Sequence, residues 1–383
     1  MSSIENKWST DVPVEINSYY WNDEPVFRAA SSTRANSKTK VAELFCGLGG
    51  LSQGFIQAGF DLRLGADIHQ PSIESYQVNH PRSSTLLGDL KKVSSSQMKK
   101  YLSDSDTEIM LAGVPCQGFS LANRKRHDAD ERNQLFKDFL RLAKPIKPKA
   151  VVIENVSGMR SAAGGGFVSA IRNAIEEELN LDVHVLFLNA ADFGVPQTRS
   201  RLFFVGLPRG SRWIDPAPTH GPKVGIPFRT VRDAIYDLPE LESGEFADEY
   251  DQDPISELAR MLRGKETVLT NHEAPNHPQS TIDRIKATKP GSPLYSTFKQ
   301  RIRLSWDLPS PTQVSGGIRA QFQFGHPSQY RGLTIRERAR IQTFPDSIKV
   351  LGGLVQGRIQ TGNAVPPLLA ETIALAMKKS LGG

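Results

Sequence analysis

Val41-Ala42-Glu43-Leu44-Phe45-Cys46-Gly47-Leu48-Gly49-Gly50-Leu51 decides the fold class. An apolar run of strand length meets a glycine turn, and an apolar helix over about 51–58 begins where the turn ends. Glycines let a ligand approach the backbone, and a helix N-terminus offers unpaired N–H groups, so this junction suits a nucleotide-like molecule. The next apolar run, residues 62–66, reads as a second strand and ends in Asp67. That acid stands about 20 residues past the turn, where a carboxylate can bind the two hydroxyls of a ribose. A glycine turn alone is a weak signal, and the spaced acid strengthens it.

The alternation of strand and helix continues in both directions from Asp67. Residues 71–79 read as a helix, and Thr85-Leu86-Leu87 as a strand leading into Gly88-Asp89-Leu90. Ile109-Met110-Leu111-Ala112 is a short buried strand that delivers Gly113-Val114-Pro115-Cys116-Gln117-Gly118-Phe119-Ser120. A helix is expected over about 133–143. A fully apolar strand over 149–153 stops at Glu154-Asn155-Val156, a helix covers about 167–179, and strands cover 183–188 and 202–205. Near-continuous apolar strands separated by helices imply an α/β, Rossmann-like and mostly parallel sheet with helices on both faces. Ligands in such sheets bind beyond the carboxyl ends of the strands. The reading places Gly47, Asp67, Asp89, Cys116 and Glu154 at those ends.

Composition narrows the class of protein. A chain of 383 residues can bury a large core, with one big domain and a smaller one as the expectation. No apolar run approaches the roughly 20 residues needed to cross a bilayer, and Met1-Ser2-Ser3-Ile4-Glu5 opens no secretory signal. Two cysteines, Cys46 and Cys116, exclude a disulfide framework, favour a reducing cytoplasmic setting and argue against structural zinc. A net charge of +6 permits a nucleic-acid partner without establishing one.

Residues 1–38 read as a polar, irregular extension whose Tyr19, Tyr20 and Trp21 could dock on the main domain. Residues 39–208 form the catalytic and cofactor-binding domain. Beyond Pro208, proline and glycine become frequent and helical periodicity fades, which marks a smaller irregular domain over 209–345. Within it the acidic run 240–253 reads as a solvated loop. The basic stretch 284–303, with Tyr295 and Phe298 interleaved, suits a surface that tracks phosphates. Thr334-Ile335-Arg336-Glu337 is a capping box that opens a short structural helix. Residues 346–383 return to the first domain, with a last apolar helix over about 368–377 after Gly362-Asn363-Ala364-Val365-Pro366-Pro367.

The chemistry-bearing side chains are a thiol, an acid and an arginine pair. Pro115 fixes the backbone before Cys116, which stands at a strand mouth where a nucleophile belongs. A lone cysteine in a turn is more often a small apolar filler, and Cys46 is read that way. Glu154, an acid closing an apolar strand, is partly buried and needs a reason to be there. Arg199 and Arg201 alternate on an extended chain and so share a face.

In this order, FCGLGG, PCQGFS, ENV, QTRSR and GNAVPP resemble the motif series of the bacterial-type DNA (cytosine-5) methyltransferases. The resemblance covers about residues 40–207 and 310–380, and the segment between lies where that family keeps its variable target-recognition domain. Val114 departs slightly, since many members carry a second proline there. The resemblance implies methyl transfer from S-adenosylmethionine to carbon 5 of a cytosine flipped out of double-stranded DNA. It implies Cys116 as the nucleophile and Glu154 as the general acid. Arg201 would hold the base carbonyl, and Arg199 would orient a loop or the DNA backbone. Phe45, Gly47, Gly49, Leu51, Asp67, Ile68, Asp89, Leu90, Pro115, Leu135, Asn363 and Val365 would form the cofactor pocket, with no metal. The loop 120–132 would close over DNA. A monomer is expected, with a cognate restriction endonuclease as a functional rather than physical partner.

Three other readings compete. An RNA cytosine-5 methyltransferase would methylate transfer RNA rather than duplex DNA. A silent DNA-binding relative would lack the acid, thiol and arginine that this chain retains. A nicotinamide oxidoreductase accounts for Gly47, Gly49 and Asp67 and leaves PCQ and ENV unexplained.

Overall fold

The computed structural model describes residues 24–31, 39–102, 107–114, 134–160, 166–315 and 323–382. The strands of the larger part are β1 (Val26–Arg28), β2 (Lys40–Leu44), β3 (Asp61–Asp67), β4 (Ser84–Leu87), β5 (Ile109–Gly113) and β6 (Ala150–Val156). They continue with β7 (Leu181–Asn189), the two-residue β8 (Gln197–Thr198) and β9 (Ser200–Pro208). Eight of them form one sheet in the order β1-β4-β3-β2-β5-β6-β9-β7. The pairs β4·β3, β3·β2, β2·β5 and β5·β6 are parallel, whereas β9 runs antiparallel between β6 and β7. The strand order reverses between β2 and β5, which makes the crevice above their carboxyl ends the binding position of this sheet type.

Strand periodicity explains why both faces are covered. Ala42, Leu44, Leu64, Ala66, Met110, Ala112, Val151 and Ile153 pack into one core, and Val41, Leu62, Ile109, Leu111 and Val152 into another on the opposite face. The second core holds helix α1 (Gly50–Gln57), α2 (Gln70–Asn79) and the C-terminal helix Pro367–Ser380. The last of these meets α1 at Gly54, where an added Cβ would come within 2.4 Å of Ala370 Cβ and of the Glu371 amide nitrogen.

Two differences from the sequence reading concern the sheet. Residues assigned to an irregular N-terminal extension include β1, which pairs antiparallel with β4 at the edge. Three residues with one inward side chain, Phe27, are too short a run to show periodicity. The strand expected to stop at Glu154 runs on to Val156 and pairs with β9 as far as Val156↔Arg201. Tyr19, Tyr20 and Trp21 lie outside the described residues.

The smaller part has its own core, in which Val231, Ile235, Leu258, Leu262, Leu304 and Phe324 meet Ile341. Helix Ile335–Ile341 opens with the expected capping box, Thr334 and Glu337 each satisfying the other's backbone N–H. Buried ion pairs hold it: Arg340 bonds Asp237 and Asp346 at 2.7 Å each, and Arg331, ahead of the helix, bonds Glu337 at 2.7 Å. The acidic run 240–253 is mostly exposed loop, as its composition suggests.

Candidate active site

The glycine turn after β2, Asp67 at the end of β3 and the Glu154–Arg201 pair at β6 and β9 gather at the carboxyl ends of the parallel strands, with Asp89 after β4 farther along the edge. Gly47 takes a positive φ of 52°, and a side chain there would meet nothing within 4 Å, so the turn presents bare backbone. Gly49 caps α1 in the left-handed conformation, and Phe45 also has a positive φ of 57°. Asp67 holds the turn in place. Its Oδ2 accepts the Gly47 N–H and its Oδ1 accepts the His69 N–H, both at 2.8 Å. A carboxylate has about four acceptor sites, and the backbone N–H groups do not fill them all, so the acid can still accept a ligand hydroxyl. Burial raises its pKa, and the backbone N–H groups of His69, Gly47 and Ile68 pull the other way.

Glu154 sits on the opposite side of the crevice. Its Oε1 lies 2.7 Å from Arg201 Nε, and both side chains are buried. The register places Glu154 beside Gly113, whose missing Cβ would stand 3.3 Å from the Phe45 carbonyl and 4.0 Å from Glu154 Oε2. The acid therefore faces the strand end that delivers Cys116, and the turn after β2 lies next to both. Burial raises the Glu154 pKa above the ordinary carboxylate value, while Arg201 and Arg199 oppose the rise.

Arg199 and Arg201 both act electrostatically on Glu154, as the alternation requires, yet their contacts differ. Arg199 is 1% exposed and donates to the carbonyls of Gln313 at 2.7 Å and Gly362 at 2.9 Å. Its guanidinium ties β9 to the two segments that return from the smaller part. The sequence reading has Arg199 orient a loop or the DNA backbone, and in the structure it holds these two backbone carbonyls.

The cofactor residues separate into two groups. Phe45, Gly47, Asp67, Ile68 and Asp89 are partly exposed at strand ends. Leu51, Leu90 and Val365 instead bury their side chains in the cores. Their apolar character in a βα unit made them candidates and also explains their burial. Asp89 accepts the Lys91 N–H at 2.9 Å, and Leu135 packs against the first core. Asn363 is exposed at the end of helix Gly353–Asn363. Pro115, Cys116 and the loop 120–132 lie outside the described residues.

Glu43 escaped the sequence reading. It is 2% exposed inside β2, accepts the Ser52 N–H at 2.9 Å and also bonds the Ser52 hydroxyl, so it anchors the first turn of α1. Ser52 in turn pairs with Tyr76 OH at 2.8 Å. Burial pushes the Glu43 carboxyl up to about 8, with Asp67 and Glu154 adding to the effect. An acid within an otherwise apolar parallel strand was the available signal.

A glycine turn at the switch point, a strand-end acid and a buried carboxylate–guanidinium pair define a Rossmann-like nucleotide-binding site with an acid poised at its edge. The chain belongs to the C-5 cytosine-specific DNA methylases, whose family model matches residues 39–379. It is 35% identical to the type II methyltransferase M1.HphI of Haemophilus parahaemolyticus, over 88% of this chain and 86% of that protein. It is 34% identical to M.DdeI of Desulfomicrobium norvegicum, over 87% of each. A crystal structure from an E. coli prophage, provisionally assigned as a DNA modification methyltransferase, superposes with a TM-score of 0.75. It is 26% identical and covers 90% of this chain and 99% of that one. No helix among the described residues is long and apolar enough to cross a membrane.

Proposed function

We propose that the chain transfers a methyl group from S-adenosylmethionine to carbon 5 of a cytosine flipped out of duplex DNA, with Cys116 as nucleophile and Glu154 as general acid. The observation that carries this reading is the buried Glu154–Arg201 pair beside Gly113, three residues before Cys116. Carbon 5 of cytosine is a poor nucleophile until something adds at carbon 6. The Cys116 thiolate forms that bond, and Glu154 offers ring nitrogen 3 a proton, which makes the addition easier. Arg201 holds Glu154 and has further N–H donors for the base carbonyl. S-adenosylmethionine, when bound, supplies an electrophilic methyl group. Loss of the carbon-5 proton then expels Cys116 and restores the ring.

The half-exposed side chains fit that cofactor. Asp67 has lone pairs free for ribose hydroxyls, Ile68 offers an apolar face for adenine, and Asp89 stands at its edge. Gly47 leaves open space for the methionine portion. Arg199 acts as a positioning residue that fixes the backbone at Gln313 and at Gly362, near the end of helix Gly353–Asn363. Leu51, Leu90 and Val365 contribute through backbone and by holding the turns.

We assign residues 209–345 to target recognition and 346–383 to the return onto the catalytic domain. On the recognition part, Arg284 stacks over Tyr295 at 4.5 Å and Arg301 over Phe298 at 4.9 Å, a surface suited to phosphates and bases. Arg303 is excluded from it, because it is buried and donates to the carbonyls of Ile285 and His326. The type II names of the relatives support a modification role beside a restriction endonuclease.

A duplex carrying 5-fluorocytosine in the target site tests the reading. With cofactor it traps a covalent complex, because no proton can leave carbon 5, and Cys116→Ala abolishes the trap. Turnover by the Cys116→Ala enzyme would refute the assignment.

A further inference from the structure

β1 lies outside the family match, which begins at residue 39, yet it is built into the sheet directly beside the Gly88–Leu90 turn. We propose that residues 24–28 are a positioning element of the cofactor site, an added strand that fixes the turn carrying Asp89. The inference rests on the reading above that Asp67 and Asp89 hold the nucleoside.

The antiparallel register, Val26↔Leu87 to Arg28↔Thr85, carries the preceding residues Glu24 and Pro25 across the end of β4. There they meet Gly88. An added Cβ at Gly88 would lie 2.6 Å from Pro25 Cα and 2.9 Å from the Glu24 carbonyl oxygen, and the φ of +147° disfavours any side chain. Gly88 also donates its N–H to the Asp67 carbonyl at 3.0 Å. The strap therefore presses on a residue that links the ribose acid to the adenine turn. Phe27 holds the strap down, its ring stacked on Tyr101 at 4.5 Å and 4° and packed against the first core. The Ser31 N–H bond to the Pro81 carbonyl, at 2.9 Å, ties down its far end. The Glu24–Lys92 pair is exposed and contributes little.

A turn ordered before the ligand arrives saves the cost of ordering it on binding. Phe27→Ala frees the strap, and Tyr101→Ala removes the same stack from its other side. Both should weaken S-adenosylhomocysteine binding by calorimetry about tenfold. The KM for the methyl donor should rise in parallel, with kcat and duplex affinity unchanged. Amide exchange at residues 88–93 should quicken in both variants, which a general loss of stability would not confine to that turn. Wild-type affinity and wild-type exchange in the two variants would overturn the inference alone. If the wild-type protein bound no S-adenosylhomocysteine, the cofactor reading would fall first and the inference with it.

Discussion

Glu154 shows what a sequence can and cannot say about one side chain. An acid at the end of an apolar run was legible, and so was the upward direction of its pKa, because burial follows from the surrounding Val and Ile residues. Its partner was only half legible. Alternation puts Arg199 and Arg201 on one face, yet Arg201 pairs with the acid while Arg199 is held by carbonyls 114 and 163 residues away. No local pattern encodes contacts that distant. The consequence for catalysis can be measured. Glu154→Gln keeps an acceptor for Arg201 and loses the proton donor, so kcat should fall by about 10²-fold or more with the fold intact. Because the protonated acid is needed and its pKa is raised, the wild-type rate should decline with rising pH only above the ordinary carboxylate range. A Gln variant with wild-type kcat would assign the proton elsewhere.

Among the elements, long strands and helices followed directly from periodicity, and misses came where packing rather than pattern decides. β1 has three residues and owes its place to Phe27 and the free edge of β4. Helix Gly353–Asn363 was not foreseen, since its Gly, Gln and Thr residues carry no apolar stripe and it is held by buried contacts such as Gln356 with His69. The last helix was legible from its apolar run, and its partner surface depends on Gly54 having no side chain. Gly54→Ala should force α1 and helix 367–380 apart. The extra methyl faces backbone atoms at 2.4 and 2.5 Å that cannot rotate away. Overpacking of this kind costs about 1–3 kcal/mol, read as a lower melting temperature. An unchanged melting temperature would show that the helix pair can slide.

For the whole molecule, buried titratable groups of opposite tendency set the pH of greatest stability. His80 and His277 are lowered by burial to about 4, and His326 to about 3. His326 Nδ1 accepts the N–H groups of Ser328 and Gln329, which holds the ring neutral. The unfolded chain binds protons at these histidines below their ordinary value of 6.5, and the folded chain does not. Stability is therefore lost as pH falls from 6.5 towards 4, at about 1.4 kcal/mol per pH unit for each histidine. Glu43 acts in the opposite sense. With its carboxyl raised from 4.5 to about 8, the folded chain keeps a proton that the unfolded chain has released. Stability then falls as pH rises through that window, at the same slope for one group. Among the described residues, between pH 4.5 and 6.5 the six histidines lowered by burial, these three with His69, His220 and His272, outnumber the four acids raised by it, Glu43, Asp67, Glu154 and Glu371, and above 6.5 the acids remain. Urea midpoints measured from pH 4.5 to 8.5 should peak near pH 6.5, with a steeper acid side. Glu43→Gln should flatten the alkaline side, and His326→Asn should make the acid side shallower by about one proton's slope. A midpoint still climbing at pH 8 would mean that Glu43 is ionised at little cost, and with that its buried hold on the helix beneath the glycine turn would have to be reassigned.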